Sequence, residues 1–171
     1  MENKISIQKV KPVSFWRISG VEGTSGYPVD LLEGLLVRRK KRRQDQWAEY
    51  SREAIDKGEF HAASMPFYHS VFKELYKARY SPEAKQIREF LEEQFDKRWL
   101  TTLTRIVYTP KGKDRIIHNY GLQDQYELEE FITGCGGLVK DVSNSAPYKA
   151  IIGAENVAEV NDIYTWVIDR G

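Results

Sequence analysis

Apolar and polar positions alternate at the start of the chain. Ile5 and Ile7 are interleaved with Ser6 and Gln8, the period-two pattern of a half-buried strand over residues 3–10. Pro12 interrupts it. Residues 13–19, with Val13, Phe15, Trp16 and Ile18, predict a second strand. Gly20, Gly23, Thr24, Ser25 and Gly26 then mark a loop. After Pro28 the period becomes helical. Leu31, Leu32, Leu35 and Leu36, then Trp47, Tyr50, Ala54 and Ile55, predict one long helix over residues 28–57. Proline suits its first turn and Gly58 its end. Gly34 inside it costs ~1 kcal/mol of helix propensity.

A second helix is predicted over residues 66–79, with Tyr68, Val71, Phe72, Leu75 and Tyr76 as its apolar stripe. A third covers residues 82–99 and has the best start signal in the chain: Ser81 as N-cap, Pro82 in the first position, Glu83 in the first turn. Its inward residues are Ile87, Phe90, Leu91 and Phe95. The pattern then returns to strands. Residues 102–109 and 114–120 are β-branched and aromatic and flank Thr-Pro-Lys-Gly-Lys, a turn sequence, so they predict a hairpin. Residues 125–133 predict a further strand, the glycine-rich stretch at 134–137 a turn, residues 148–152 a short strand and residues 155–168 a last helix. Strands and helices come in groups, which favours an α+β fold over a doubly wound parallel sheet. The expected architecture is a single domain over residues 1–171. It has a mainly antiparallel sheet of about five or six strands, a long basic helix that can project from it, two further central helices and a C-terminal helix.

Charge changes the picture of the first helix. Arg38, Arg39, Lys40, Lys41, Arg42 and Arg43 are six consecutive cations, with no acid between Glu33 and Asp45. On a helix, Leu36, Lys40, Arg43 and Trp47 share one face. The inward stripe is therefore broken by two turns that carry a cation on every side. A core cannot bury that without pairing each charge, because a lone buried charge costs several kcal/mol. This segment is expected to be solvated, docked on acids of this chain or a second copy, or bound to phosphates. Arginine makes bidentate phosphate contacts, and such binding weakens steeply with salt. The chain's net charge is only +1, but residues 1–80 carry 15 Lys or Arg against 10 Asp or Glu, and residues 81–171 carry 11 against 15. That asymmetry suits a polyanionic partner or pairing between copies, with Glu92, Glu93, Glu127, Glu129 and Glu130 as available acids.

Candidate chemistry is sparse. His118, in Ile-Ile-His-Asn-Tyr-Gly, can act as an acid or base near neutral pH. With Ile117 inward, His118 and Tyr120 would face outward and, with Asn119, line a pocket; the plainer expectation is a surface histidine beside a tyrosine. Cys135 is the single cysteine, so no internal disulfide forms, and as a nucleophile it would need His118 as its base. His61 and His69 are eight residues apart, not the helical metal-pair spacing. Glu127 and Glu129 put two carboxylates on one strand face, ordinarily a solvated face. Neither glycine-rich stretch, 20–26 or 134–137, fits a phosphate loop or a dinucleotide fingerprint. No cofactor and no metal is expected. Zinc-finger spacing, the RNA-recognition aromatic motif and heptads after the basic run are all missing, so sequence-specific DNA reading has no support.

The first residues lack the apolar core of a signal peptide and no apolar run reaches the ~18 residues needed to span a bilayer, so the expected compartment is the cytoplasm, with no membrane partner. The leading expectation is a non-enzymatic binding protein that contacts nucleic-acid phosphates through residues 38–43. The runner-up is an assembly protein forming homo-oligomers by pairing that segment with an acidic surface. The third is a small enzyme with a site around His118.

Overall fold

The computed structural model describes residues 5–10, 15–21, 29–32, 44–58, 61–97, 102–107, 114–131, 151–153 and 157–168. In chain order its elements are β1 (Ser6–Val10), β2 (Phe15–Ser19), β3 (Val29–Leu32), α1 (Gln44–Asp56), α2 (Met65–Lys77), α3 (Pro82–Lys97), β4 (Arg105–Val107), β5 (Asp114–His118), β6 (Tyr126–Phe131) and α4 (Val157–Ile168). The fold is mixed α+β with antiparallel sheets, in accord with the grouped order of elements in the sequence. The chain divides into two compact units, one of Met1–Lys41, Ser70–Thr101 and Asn161–Gly171, the other of Arg42–His69 and Thr102–Val160.

The first unit holds the meander β1-β2-β3, in which Ile7 pairs with Ile18 and Ile18 with Val29. Ile18 is fully buried, and β1 lies against α3. The apolar stripes of the three helices supply Val71, Leu75, Ile87, Leu91, Ile163 and Val167 as buried residues. Aromatic edges lock them: the Phe72 ring meets Phe95 at 6.3 Å and Tyr164 at 5.8 Å, and Tyr76 meets Trp166 at 6.0 Å. Burial holds the Tyr164 phenol far above its ordinary pKa. Helix α3 starts as its sequence requires, since the Ala84 N–H donates to Ser81 Oγ at 3.2 Å.

The second unit is built on a second meander, β4-β5-β6, with Ile106 opposite Ile116 and Ile116 opposite Leu128. These side chains and Ile151 pack around the fully buried Ile116. A separate cluster forms on α1, where Trp47, Ala48, Ala62 and Leu103 are buried and Tyr50, Tyr120 and Leu122 close over them. Leu103 is tied in through its backbone as well, with its N–H donating to Ala63 O at 2.8 Å and its carbonyl accepting from Tyr120 N at 2.9 Å. Gly58 (φ +67°) ends α1 as expected, its N–H donating to Ile55 O at 3.0 Å.

Three expectations are corrected. Among the described residues, six strands make two sheets of three rather than one of five or six. Each described strand pairs with its described sequence neighbours, because short connections favour hairpins and three helices separate β3 from β4. The helix expected over residues 28–57 is corrected at its start, since Val29–Leu32 is a strand; α1 is described from Gln44 on, and residues 33–43 lie outside the described residues. A four-residue apolar run has no reliable period. Here β2 offers a partner for its backbone groups, which decides the matter. Ile151 and Ile152 are helical rather than part of a strand over 148–152, for the same reason of shortness. The basic residues 38–43 and the turn at 109–113 lie outside the described residues.

Gly121 sits close against α1 in the second unit. Its φ is +79°, and a Cβ there would stand 2.7 Å from the Ala48 Cβ. Gly58 shares the positive φ but has nothing within 4 Å of such an atom. Gly121→Ala should therefore cost about 2–4 kcal/mol and Gly58→Ala about 1 kcal/mol. Urea denaturation of the two variants checks this, and equal losses would show that the Ala48 contact does not matter.

Candidate functional site

His118 ends β5, and its neighbours determine what it can do. The alternation along β5 puts Ile116 and His118 on one face and Arg115 and Ile117 on the other. Ile106 and Leu128 lie beside Ile116 on the first face, so His118 is carried inward with them; it is only 1% exposed. The expectation that His118 faces outward is thus overturned. Both faces of this strand are buried at 116 and 117, a pattern that alternation alone does not reveal.

The buried imidazole is hydrogen-bonded. Its Nδ1 lies 2.9 Å from Thr104 Oγ1, and the same hydroxyl accepts the Met65 N–H at 2.8 Å. Met65 opens α2, so Thr104 caps that helix from a distant part of the sequence. A hydroxyl has one donor and two acceptor sites, enough for both partners in either tautomer of the ring. The Tyr126 ring lies 4.9 Å away, tilted by 46°. The arrangement joins β5, the approach to β4 and the start of α2. At 1% exposure the ring reaches no solute unless these elements part.

The other two residues of the expected pocket turn to different partners. Asn119 adopts φ +54°, a conformation asparagine tolerates better than most residues, and its Nδ2 donates to Asp124 Oδ2 at 3.1 Å. Tyr120 packs on the α1 cluster, with the Arg105 guanidinium 4.6 Å from its ring centroid. Asn119 and Tyr120 therefore shape the β5–β6 turn. Leu122 N–H donating to Asn119 O at 2.9 Å and Gly121 N–H to Gln125 Oε1 at 3.1 Å complete it.

On β6 the Glu127 side chain is exposed. Arg115 Nε donates to Glu127, and this bond holds the Glu127 carboxyl below the usual range. His61 is exposed and its Nδ1 donates to Ala62 O at 2.7 Å, while His69 is buried. Among the described residues no group of three His, Cys, Asp or Glu side chains is placed to hold a metal ion, and no helix is long and apolar enough to cross a membrane. Cys135 and residues 38–43 lie outside the described residues.

One feature had no signal in the sequence reading. Around the α2–α3 turn, Tyr76, Arg79 and Tyr80 form a stacked set with a highly exposed outer ring. The chain matches no protein-family model, no curated protein and no solved structure.

Two outcomes follow from this geometry. Thr104→Val removes the acceptor for the Met65 N–H and the partner of His118 Nδ1, and should lower stability by about 2 kcal/mol, whereas Thr104→Ser should cost less than half of that. Chemical denaturation of both variants decides it; equal losses would assign the effect to packing of the Thr104 methyl. For Glu127 the folded pKa is depressed, so its small contribution is present above the unfolded value and fades as pH falls through the folded one. Arg115→Gln should move the Glu127 titration, followed by NMR, upward to the ordinary glutamate value. An unmoved curve would remove Arg115 as the cause.

Proposed function

We propose that this protein is a non-enzymatic binding protein that contacts nucleic-acid phosphates through Arg38, Arg39, Lys40, Lys41, Arg42 and Arg43. The observation that carries the reading is the unbroken run of six cations, with no acid between Glu33 and Asp45. Six consecutive cations reach several phosphates in either a helical or an extended conformation. Six residues span roughly 9 Å as a helix and roughly 20 Å when extended. Duplex DNA presents about one charge every 1.7 Å of axis, so either span faces several phosphates. Four of the six cations are arginine, whose planar fork suits phosphate oxygens.

A second reading is favoured by the opposite charge balance of the two halves of the sequence: homo-oligomers formed by pairing the basic run with acids of another copy. Glu127 is a weak candidate for that pairing because Arg115 already engages it.

Fluorescence anisotropy with a mixed-sequence oligonucleotide tests the proposal. With four to six phosphates neutralised, affinity should fall about a hundredfold or more between 50 and 200 mM salt. Replacing residues 38–43 with glutamine should abolish binding. Retention of full affinity by that variant would sink the proposal. A salt-sensitive molar mass that the variant loses, without nucleic-acid binding, would establish the assembly reading instead.

A further inference from the structure

The α2–α3 turn carries a second surface suited to nucleic acid, built from stacking rather than from charge alone. Tyr80 stands in the turn and is 78% exposed, far more than any other large apolar or aromatic side chain among the described residues. An exposed tyrosine alone is ordinary. What distinguishes this one is its backing.

The Arg79 guanidinium lies 4.6 Å from the Tyr80 ring centroid and 4.2 Å from that of Tyr76. Its Nη1 donates to Tyr76 O at 3.0 Å. The cation is thus fixed by two rings and a backbone acceptor before any ligand arrives. Tyr76 is in turn held against Trp166 at 6.0 Å, and the Trp166 carbonyl accepts from Arg88 Nε at 2.6 Å. Trp166, Tyr76, Arg79 and Tyr80 therefore form a continuous series of ring and cation contacts that ends in solvent at Tyr80.

Charge around the series is positive. Residues 73–88 carry Lys73, Lys77, Arg79, Lys85 and Arg88 against Glu74 and Glu83. Glu74 is itself bridged by Lys77 at 3.1 Å. Lys77 and Lys85 are exposed on either side of the turn. The surroundings suit an anion, and the exposed ring suits a flat, apolar face. A nucleotide with an unpaired base has both, whereas paired bases hide their faces in the stack. An arginine held over an aromatic ring also presents a planar cation for phosphate or for a neighbouring base.

We infer that Tyr80, backed by Arg79 and Tyr76, is a stacking platform for an unpaired base, so that the ligand class is single-stranded nucleic acid. This rests on the phosphate-binding reading above and narrows it. The basic run supplies sequence-independent attraction, and the platform selects strands whose bases are free.

Anisotropy titrations with a short oligothymidylate and with a duplex of the same length test the inference on the full chain. Tyr80→Ala should weaken single-strand binding about tenfold, as expected for one stacked base, and leave duplex binding unchanged. Tyr80→Phe keeps the ring and should retain the affinity. The salt slope should not change in either variant, because tyrosine neutralises no phosphate. Thermal melting of Tyr80→Ala should match the wild type, since the side chain is so exposed. If Tyr80→Ala binds the single strand as wild type does while neutralising residues 38–43 abolishes binding, the platform is overturned and the phosphate reading stands. If the wild type binds neither ligand, both fall.

Discussion

The second unit depends on the segment from Thr102 to Thr104, where one buried side chain and one hydroxyl serve several elements at once. Leu103 gives its N–H to Ala63, its carbonyl to Tyr120 and its side chain to the Trp47 cluster. Thr104 gives its hydroxyl to Met65 and His118. Buried backbone groups must be paired, and a short segment outside a strand has no ladder to do it. The chain solves this by spending both backbone groups of Leu103 on different partners. The orientation of β5, the start of α2 and the β5–β6 turn all follow from where this segment lies.

The same constraint explains the fate of the histidine. A polar ring at the end of a strand is ordinarily a surface feature, and buried only when a partner is at hand. Thr104 is fourteen residues away in sequence, and the hairpin register sets Arg105 beside Ile117, one step from both. Once the hairpin forms, hydroxyl and imidazole meet, and burying His118 carries little penalty. A residue that has the chemistry of an acid or base thus has the environment of a structural strut.

Much of the fold was legible because strong local signals decided it. Ser81 and Pro82 start α3, Gly58 ends α1, and the alternation at Ile5–Ile7 and the β-branched pair of runs around residue 110 become strands. The failures are short apolar runs. Val29–Leu32 and Ile151–Ile152 are too brief to display a period, so a distant partner settles their conformation. Sheet membership was hidden for a related reason, because strand count does not say which strands are neighbours. At the site, the inward face of β5 could not be read because both faces are apolar at residues 116 and 117, and the Arg79–Tyr80 stack could not be read because only a turn geometry brings both rings to one guanidinium.

Neither unit is continuous along the chain. The second leaves off at His69 and resumes at Thr102, and the first needs Asn161–Gly171 to supply Trp166, Val167 and Tyr164 to its helices. During synthesis, therefore, β1, β2 and β3 emerge well before the aromatic residues of α4 that pack on α2. Domains that are contiguous can fold in order from the N-terminus as the ribosome releases them. This chain cannot complete its first unit that way: β1 can meet α3 once residues 82–97 have been made, but α2 lacks the rings of Tyr164 and Trp166 until Asn161–Gly171 follows.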